Sequence, residues 1–430
     1  MLKNEKLKNL LPKEKRGITL IALVVTIVVL LILAGITINM LFSNGGIFKT
    51  AQDAANAWNE ATVNEQESLN NIADQIGNLV NGQVGGGTDG DEKPTVPEDW
   101  DLNKVTPVLS EDNVYVPVPN GFTASTVDGE KTVGGGFVIK QGSDGSATAG
   151  INEFVWIPVD ETSLGEMYIE VETPVALTGV STTTSVYSKF RGITEGAPNT
   201  TENREPDLVV GNGSEYDTTS NFQRILGVTS TQDFAQKMVD EYKGIHDSTK
   251  QYGGFYIGRY ELTGSTIAPT VQKRQVVLTN QNWYNLKAAC MKIVDNTGKQ
   301  ESEISAKTTM IYGNQWDEVC DWLSTKGYDI NNSSSWGNYK DNTEEGAGTK
   351  QNTGYKETWK ANNIYDLAGN CREWTQEARY TNLRASRGNC YDHSGSNSSS
   401  SASYRNVDFP NGDQGFDLTC RSILYISCTK

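Results

Sequence analysis

The stretch NNIYDLAGNCREWT, Asn362–Thr375, decides how the C-terminal part of this chain is read. Asn363, Asp366, Gly369 and Asn370 are turn formers placed around Leu367, so the segment reads as a tight, self-bonded corner. Glu373 and Trp374 then lead into a strand. Taken as residues alone, Asn370, Glu373 and Trp374 do structural work, bonding the turn and filling the core. ASRGNCY (Ala385–Tyr391) follows closely and opens a polar run, rich in Ser, Asn, Asp and Gly, that reaches Phe416. By composition the run resembles a disordered tail. It nevertheless enters RSILYIS (Arg421–Ser427), which reads as a buried closing strand.

Working outward, residues 100–430 alternate short strands with loops. NVYVPVPNGF (Asn113–Phe122), GGFVIK (Gly135–Lys140), NEFVWIPV (Asn152–Val159) and GGFYIGRYELTG (Gly253–Gly264) are β-like runs, most of them cut by Pro or Gly. Two helices are expected. One covers Thr231–Gly244 with Thr231 as N-cap; the other covers Thr309–Gly327, with Trp316, Val319, Cys320 and Leu323 on one face and Gly327 as the cap. Polar loops such as Gly337–Glu357 fill much of the rest. The expected class is α+β with a high loop fraction, and no repeat of 20–50 residues is visible.

FVWIPV, GGFYIGRYE, YGNQWDEVCDWL, NNIYDLAGNCREWT and ASRGNCY, in this order, resemble the formylglycine-generating-enzyme-like (sulfatase-modifying factor) family, a variant of the C-type lectin fold. The resemblance covers roughly residues 100–430 and implies a loop-rich, C-type-lectin-like head. The family's oxidases bind copper through two cysteines shortly after an Arg-Gly-Gly-Ser-Trp-like motif, thiolates being soft ligands for Cu(I). Here the motif is Arg387, Gly388, Asn389, Cys390 and Tyr391, and the next cysteine is Cys420. The pair is missing, so no catalytic residue is assigned. The iron-dependent relatives need several histidines, and this chain has only His246 and His393. A Ser-His-Asp arrangement would have to use His393, and nothing in the sequence orients it, so it reads as a loop histidine. No metal ligand is assigned, and calcium stays open.

At the other end, Ile18–Phe48 carries no charge and Ile18–Phe42 is almost wholly apolar, long enough to span a bilayer as a helix. Six basic residues against two acidic ones precede it within residues 1–17, which places the remainder of the chain outside the cell. The apolar run is longer than a secretory signal core. KRG followed by ITLIALVV resembles the type IV prepilin leader, which implies cleavage by a prepilin peptidase between Gly17 and Ile18 and packing beside other pilin-like subunits. That family usually carries Glu at the fifth mature position, and Ala22 stands there, which weakens the implied fibre assembly. The layout expected is a leader (1–17), a membrane or pilin-like helix (18–48), an amphipathic stalk helix (49–80), a Gly-rich acidic linker (81–99) and the head (100–430) with a ligand-binding segment at 384–420.

The net charge is −16, and with +4 concentrated in residues 1–17 the rest carries −20, which repels phosphate backbones and excludes nucleic acid as a partner. Six cysteines without a CxxC pair describe neither a zinc ribbon nor a disulfide framework, and isolated thiols are expected. Lectin-fold heads of the resembled family also serve as targets of diversity-generating retroelements, which randomise adenines in Asn codons. Such sampling yields no Lys, Glu, Gln, Met or Trp, and between Arg387 and Thr429 only Gln414 is of these types. A plain Ser/Asn-rich loop has the same composition, so both origins stay open. The expected contact residues are Asn389, Cys390, Tyr391, Asp392, His393, Asn397, Tyr404, Asn406, Val407, Asp408, Phe409 and Asp413, a paratope-like mixture of aromatic anchors and adaptable polar groups. The function expected is a surface-displayed receptor or adhesin binding an unknown ligand. A formylglycine-generating-type copper oxidase and a structural pilus subunit are the alternatives.

Overall fold

A computed structural model of the chain describes residues 94–147, 150–167, 227, 231–294, 298–380, 383–396, 401–408 and 415–428. The expected leader with Gly17 and Ile18, the membrane helix, the stalk and most of the linker lie outside the described residues. Residues Lys93–Lys430 form one compact unit. Among the described residues, no helix is long and apolar enough to cross a membrane.

The unit is α+β, mostly strand. Its strands are β1 (Val105–Leu109), β2 (Tyr115–Pro119), β3 (Phe122–Ala124), β4 (Val138–Gln141), β5 (Glu153–Pro158), β6 (Gly254–Gly258), β7 (Thr263–Gly264) and β8 (Pro269–Thr270). They continue as β9 (Ala306–Met310), β10 (Lys360–Ala361), β11 (Ile364–Tyr365), β12 (Arg372–Tyr380), β13 (Leu383–Arg387), β14 (Arg405–Asp408), β15 (Leu418–Cys420) and β16 (Ser422–Ile426). The helices are α1 (Glu161–Met167), α2 (Thr231–Tyr252), α3 (Trp283–Cys290) and α4 (Gly313–Thr325).

Six strands form an antiparallel sheet in the order β3-β4-β5-β6-β16-β9. The run EFVWIP of β5 is buried on both faces, which is why it reads as continuous apolar sequence and not as an alternation. β16 inserts between β6 and β9, so the last strand of the chain completes the interior of this sheet and not its edge. Helix α2 packs on β6 and β16. Four strands form the second sheet, β14-β13-β12-β15, in which β12 and β15 run parallel. Helix α3 touches β9 of the first sheet and β15 of the second, and α4 packs on β12.

Both expected helices change extent. The first runs past Gly244 to Tyr252, because Ile245 and Tyr252 are buried, and it stops at Gly253, whose φ is +76°. The second starts at Gly313, since Ala306–Met310 is claimed by β9 through its pairing with β16. Tyr312 precedes this helix and its amide donates to Gln315 Oε1 (3.1 Å). At the other end Lys326 caps the helix, and Gly327 follows at φ +86°.

The corner has the geometry its residues suggest. Asn362, Asn363, Asp366, Gly369 and Asn370 all have positive φ, a region favoured by Gly and open to Asn and Asp. A Cβ on Gly369 would collide with the carbonyl of Asn338. Asn370 is buried and fully engaged: Oδ1 accepts from Gln351 N (2.9 Å) and Asn338 Nδ2 (3.0 Å), while Nδ2 donates to Glu261 Oε2 (2.6 Å). Glu373 receives a bidentate pair from Arg421, at 2.7 and 2.5 Å, and Trp374 is fully buried. All six cysteines are free, yet two are not isolated: the buried sulfurs of Cys290 and Cys420 face each other at 3.2 Å.

Candidate functional site

The segment flagged by its composition is the connection between β13 and β14. These strands pair antiparallel from Arg384↔Asp408 to Arg387↔Arg405, so residues 388–404 span the end of a hairpin. The hairpin is held down by charge. Arg387 donates to Asp317 Oδ1 (2.8 Å) and reaches Glu377 Oε2 (3.5 Å), while Arg405 pairs with Glu377 (3.0 Å) and with Asp317. All four side chains are buried, two cations against two carboxylates, so the set is formally neutral. Burial works against the charge of Arg405, but Asp317 and Glu377 outweigh it and raise its pKa above the ordinary arginine value. Arg387 also donates to the carbonyls of Tyr404 (Nε, 3.2 Å) and Ser403 (Nη2, 3.1 Å), fixing the returning arm.

The connection itself is threaded onto the body of the unit. Gly388 (φ +78°) and Asn389 (φ +56°) turn the chain, and Gly388 O accepts from Gly369 N (2.9 Å) and Tyr339 Oη (2.7 Å). Tyr391 N donates to Asn370 O (3.1 Å), His393 N to Cys390 O (3.1 Å), and Lys340 N to His393 O (3.0 Å). The Asp341 carboxylate accepts from Ser394 Oγ (2.5 Å), Gly395 N (2.9 Å) and Ser396 N (3.2 Å). Partial burial raises its pKa, but those donors prevail and keep it below the usual carboxylate range. Further on, Ala402 N donates to Ser333 Oγ (3.0 Å), and Ala402 O accepts from Trp316 Nε1 (3.0 Å). The described part of this polar run is therefore fixed structure.

The expected contact residues separate into layers. Asn389 and Cys390 are buried, so they underlie the surface and do not form it. Tyr391, Tyr404 and Asn406 are half-buried, and Asp392 and His393 are exposed. Val407 and Asp408 belong to β14, opposite Ala385 and Arg384, which makes their backbone part of the sheet. Asn397, Phe409 and Asp413 lie outside the described residues. Phe416 is exposed, whereas Arg421 enters the core with Glu373.

His393, unoriented as far as the sequence shows, is oriented in the fold. Its Nδ1 lies 2.8 Å from Asp392 Oδ1 and 3.2 Å from Cys390 Sγ, and the Cys390 thiol is 3.1 Å from the same carboxylate oxygen. Burial is the main cause pushing the thiol pKa up, and its hydrogen bond to Asp392 adds to it. One ring nitrogen cannot donate to Asp392 and accept from Cys390 at once, so Nδ1 makes one of these two bonds in each tautomer. The supports Asp317, Asp341, Glu377 and Arg405 escape sequence reading because their partners are far away in the chain or sit in loops without periodicity. Among them only Arg405 falls inside the flagged segment.

No protein-family model matches the chain, and no curated protein matches it either.

Proposed function

We propose that this chain is a surface-displayed ligand-binding protein. In this reading a prepilin-like helix (18–42) anchors it in the membrane, a stalk (49–80) and linker (81–99) carry the head outward, and the head binds its ligand through the β13–β14 connection. The head is assigned to the C-type-lectin-like fold of the formylglycine-generating-enzyme type on the motifs quoted above. The observation that carries the reading is the contrast between support and display. Arg387, Arg405, Asp317 and Glu377 lock the base of the hairpin in the core, while Tyr391, Asp392 and His393 face outward from a backbone pinned at nearly every turn. A rigid base with varied, adaptable side chains is the arrangement by which loops bind.

The full chain, purified in detergent, can be screened against an array of glycans and proteins beside a variant carrying Tyr391→Ala, Asp392→Ala and His393→Ala. The reading expects a ligand whose binding falls at least tenfold in the variant at unchanged circular dichroism. Binding indifferent to the three substitutions would defeat it. So would stoichiometric copper uptake coupled to oxidation of a cysteine peptide, which would favour the oxidase alternative.

A further inference from the structure

We propose that Cys390, Asp392 and His393 are the protein ligands of a zinc-class divalent metal ion, held at the edge of the display surface with one coordination position open. The thiol sulfur, one carboxylate oxygen and one imidazole nitrogen form a triangle with edges of 2.8, 3.1 and 3.2 Å. A tetrahedral zinc ion with bonds of about 2.0–2.3 Å sets its donor atoms roughly 3.3–3.7 Å apart. Each edge therefore needs to open by only about half an ångström. The side chains that must move are free to do so, since His393 is 52% and Asp392 54% exposed, while Cys390 supplies a fixed, buried corner.

The donor set selects the metal. Thiolate and imidazole favour zinc, cobalt, nickel or copper, of which zinc fits a mixed sulfur, nitrogen and carboxylate set in tetrahedral geometry, whereas calcium and magnesium want oxygen ligands in greater number. Binding exchanges the thiol proton for the metal: the S–H bond breaks, a metal–sulfur bond forms, and the proton leaves to solvent. A dication balances the Cys390 thiolate and the Asp392 carboxylate, and the further carboxylate beside the thiol, Asp417, has its own counter-ion in Arg372 (3.0 Å). The backbone is already set for this, because Tyr391 N is tied to Asn370 O, His393 N to Cys390 O, and Lys340 N to His393 O. Three protein ligands leave a fourth position for water or for an oxygen or nitrogen donor of a bound ligand. This last role rests on the binding reading, whereas the metal site does not.

The metal-stripped full chain, titrated with cobalt(II), tests the site. One equivalent should give a thiolate-to-cobalt charge-transfer band with visible bands of tetrahedral strength, and zinc should abolish both. Cys390→Ser should remove the charge-transfer band, Cys428→Ser should keep it, and His393→Ala should weaken cobalt affinity at least tenfold. Imidazole added to the cobalt form should shift the visible bands by taking the open position. No charge-transfer band at millimolar cobalt would overturn the proposal, as would a band that survives Cys390→Ser. If Cys390→Ser fails to fold, the exposed His393→Ala variant decides, and unchanged affinity there overturns it. Repeating the array screen with a chelator separates the two readings: ligand binding that survives chelation leaves the display surface standing without the metal.

Discussion

Asp366 illustrates how one residue of the corner ties fold to solution conditions. Burial is the chief cause of its raised pKa, about 7, and the neighbouring Glu373 carboxylate adds to it, while the Gly354 amide and Arg421 pull the other way. A carboxyl raised from an unfolded value near 4 binds more protons in the folded state between roughly pH 4 and 7. Its contribution is complete below that window and is lost as pH rises through it. Denaturant titrations from pH 5 to 8 should therefore show stability falling with pH, and Asp366→Asn, which suits the positive φ at this position, should flatten part of that slope. An unchanged slope would remove Asp366 from the account. Gly369 makes a second residue-scale test. At φ +76° and against the Asn338 carbonyl, Gly369→Ala should cost more than the ~1 kcal/mol of the backbone preference alone, read as a shift in the denaturation midpoint.

At the scale of elements, the β13–β14 hairpin depends on charges that no local pattern announces. Arg405→Met would leave Asp317 and Glu377 with one buried cation between them. A loss of about 3–5 kcal/mol is expected, together with faster amide exchange across residues 388–396. A loss below about 1 kcal/mol with exchange unchanged would mean that the hairpin is held by other contacts. The corner at 363–375 was legible because Asn, Asp and Gly each carry a local conformational preference. The strands at 153–158 and 422–426 were legible from their apolar runs. Helix ends were not. Gly244 looks like a terminator but lies inside α2, which continues because Ile245 and Tyr252 are buried, and Thr309–Met310 continues a helical pattern yet is taken by pairing with β16. Of the site, the outward residues Tyr391, Asp392 and His393 were visible in composition, and so was the loop around them. The meeting of Cys390, Asp392 and His393 at one point was not, since it depends on a turn whose fixing partners, Asn370 and Lys340, lie elsewhere in the chain.

At the scale of the whole molecule, an apolar, basic-flanked N-terminus precedes a compact unit with an acidic balance and a charge-locked β13–β14 connection. If the head is carried outside the cell, a protease added to intact expressing cells should release it by cutting in the acidic, Gly-rich linker 81–99. Mature chains should begin at Ile18 when a prepilin peptidase is present. Heads protected until the cells are broken open would contradict the surface placement without touching the fold.

The central claim, that the β13–β14 connection is the binding face, is tested most directly by hydroxyl-radical footprinting of the full chain with and without the ligand recovered from the array. The account predicts protection at Tyr391, His393 and Tyr404, with exposed side chains elsewhere, such as Ile267 and Val276, oxidised at unchanged rates. Protection confined to Ile267 and Val276, with Tyr391 and His393 unaffected, would contradict it.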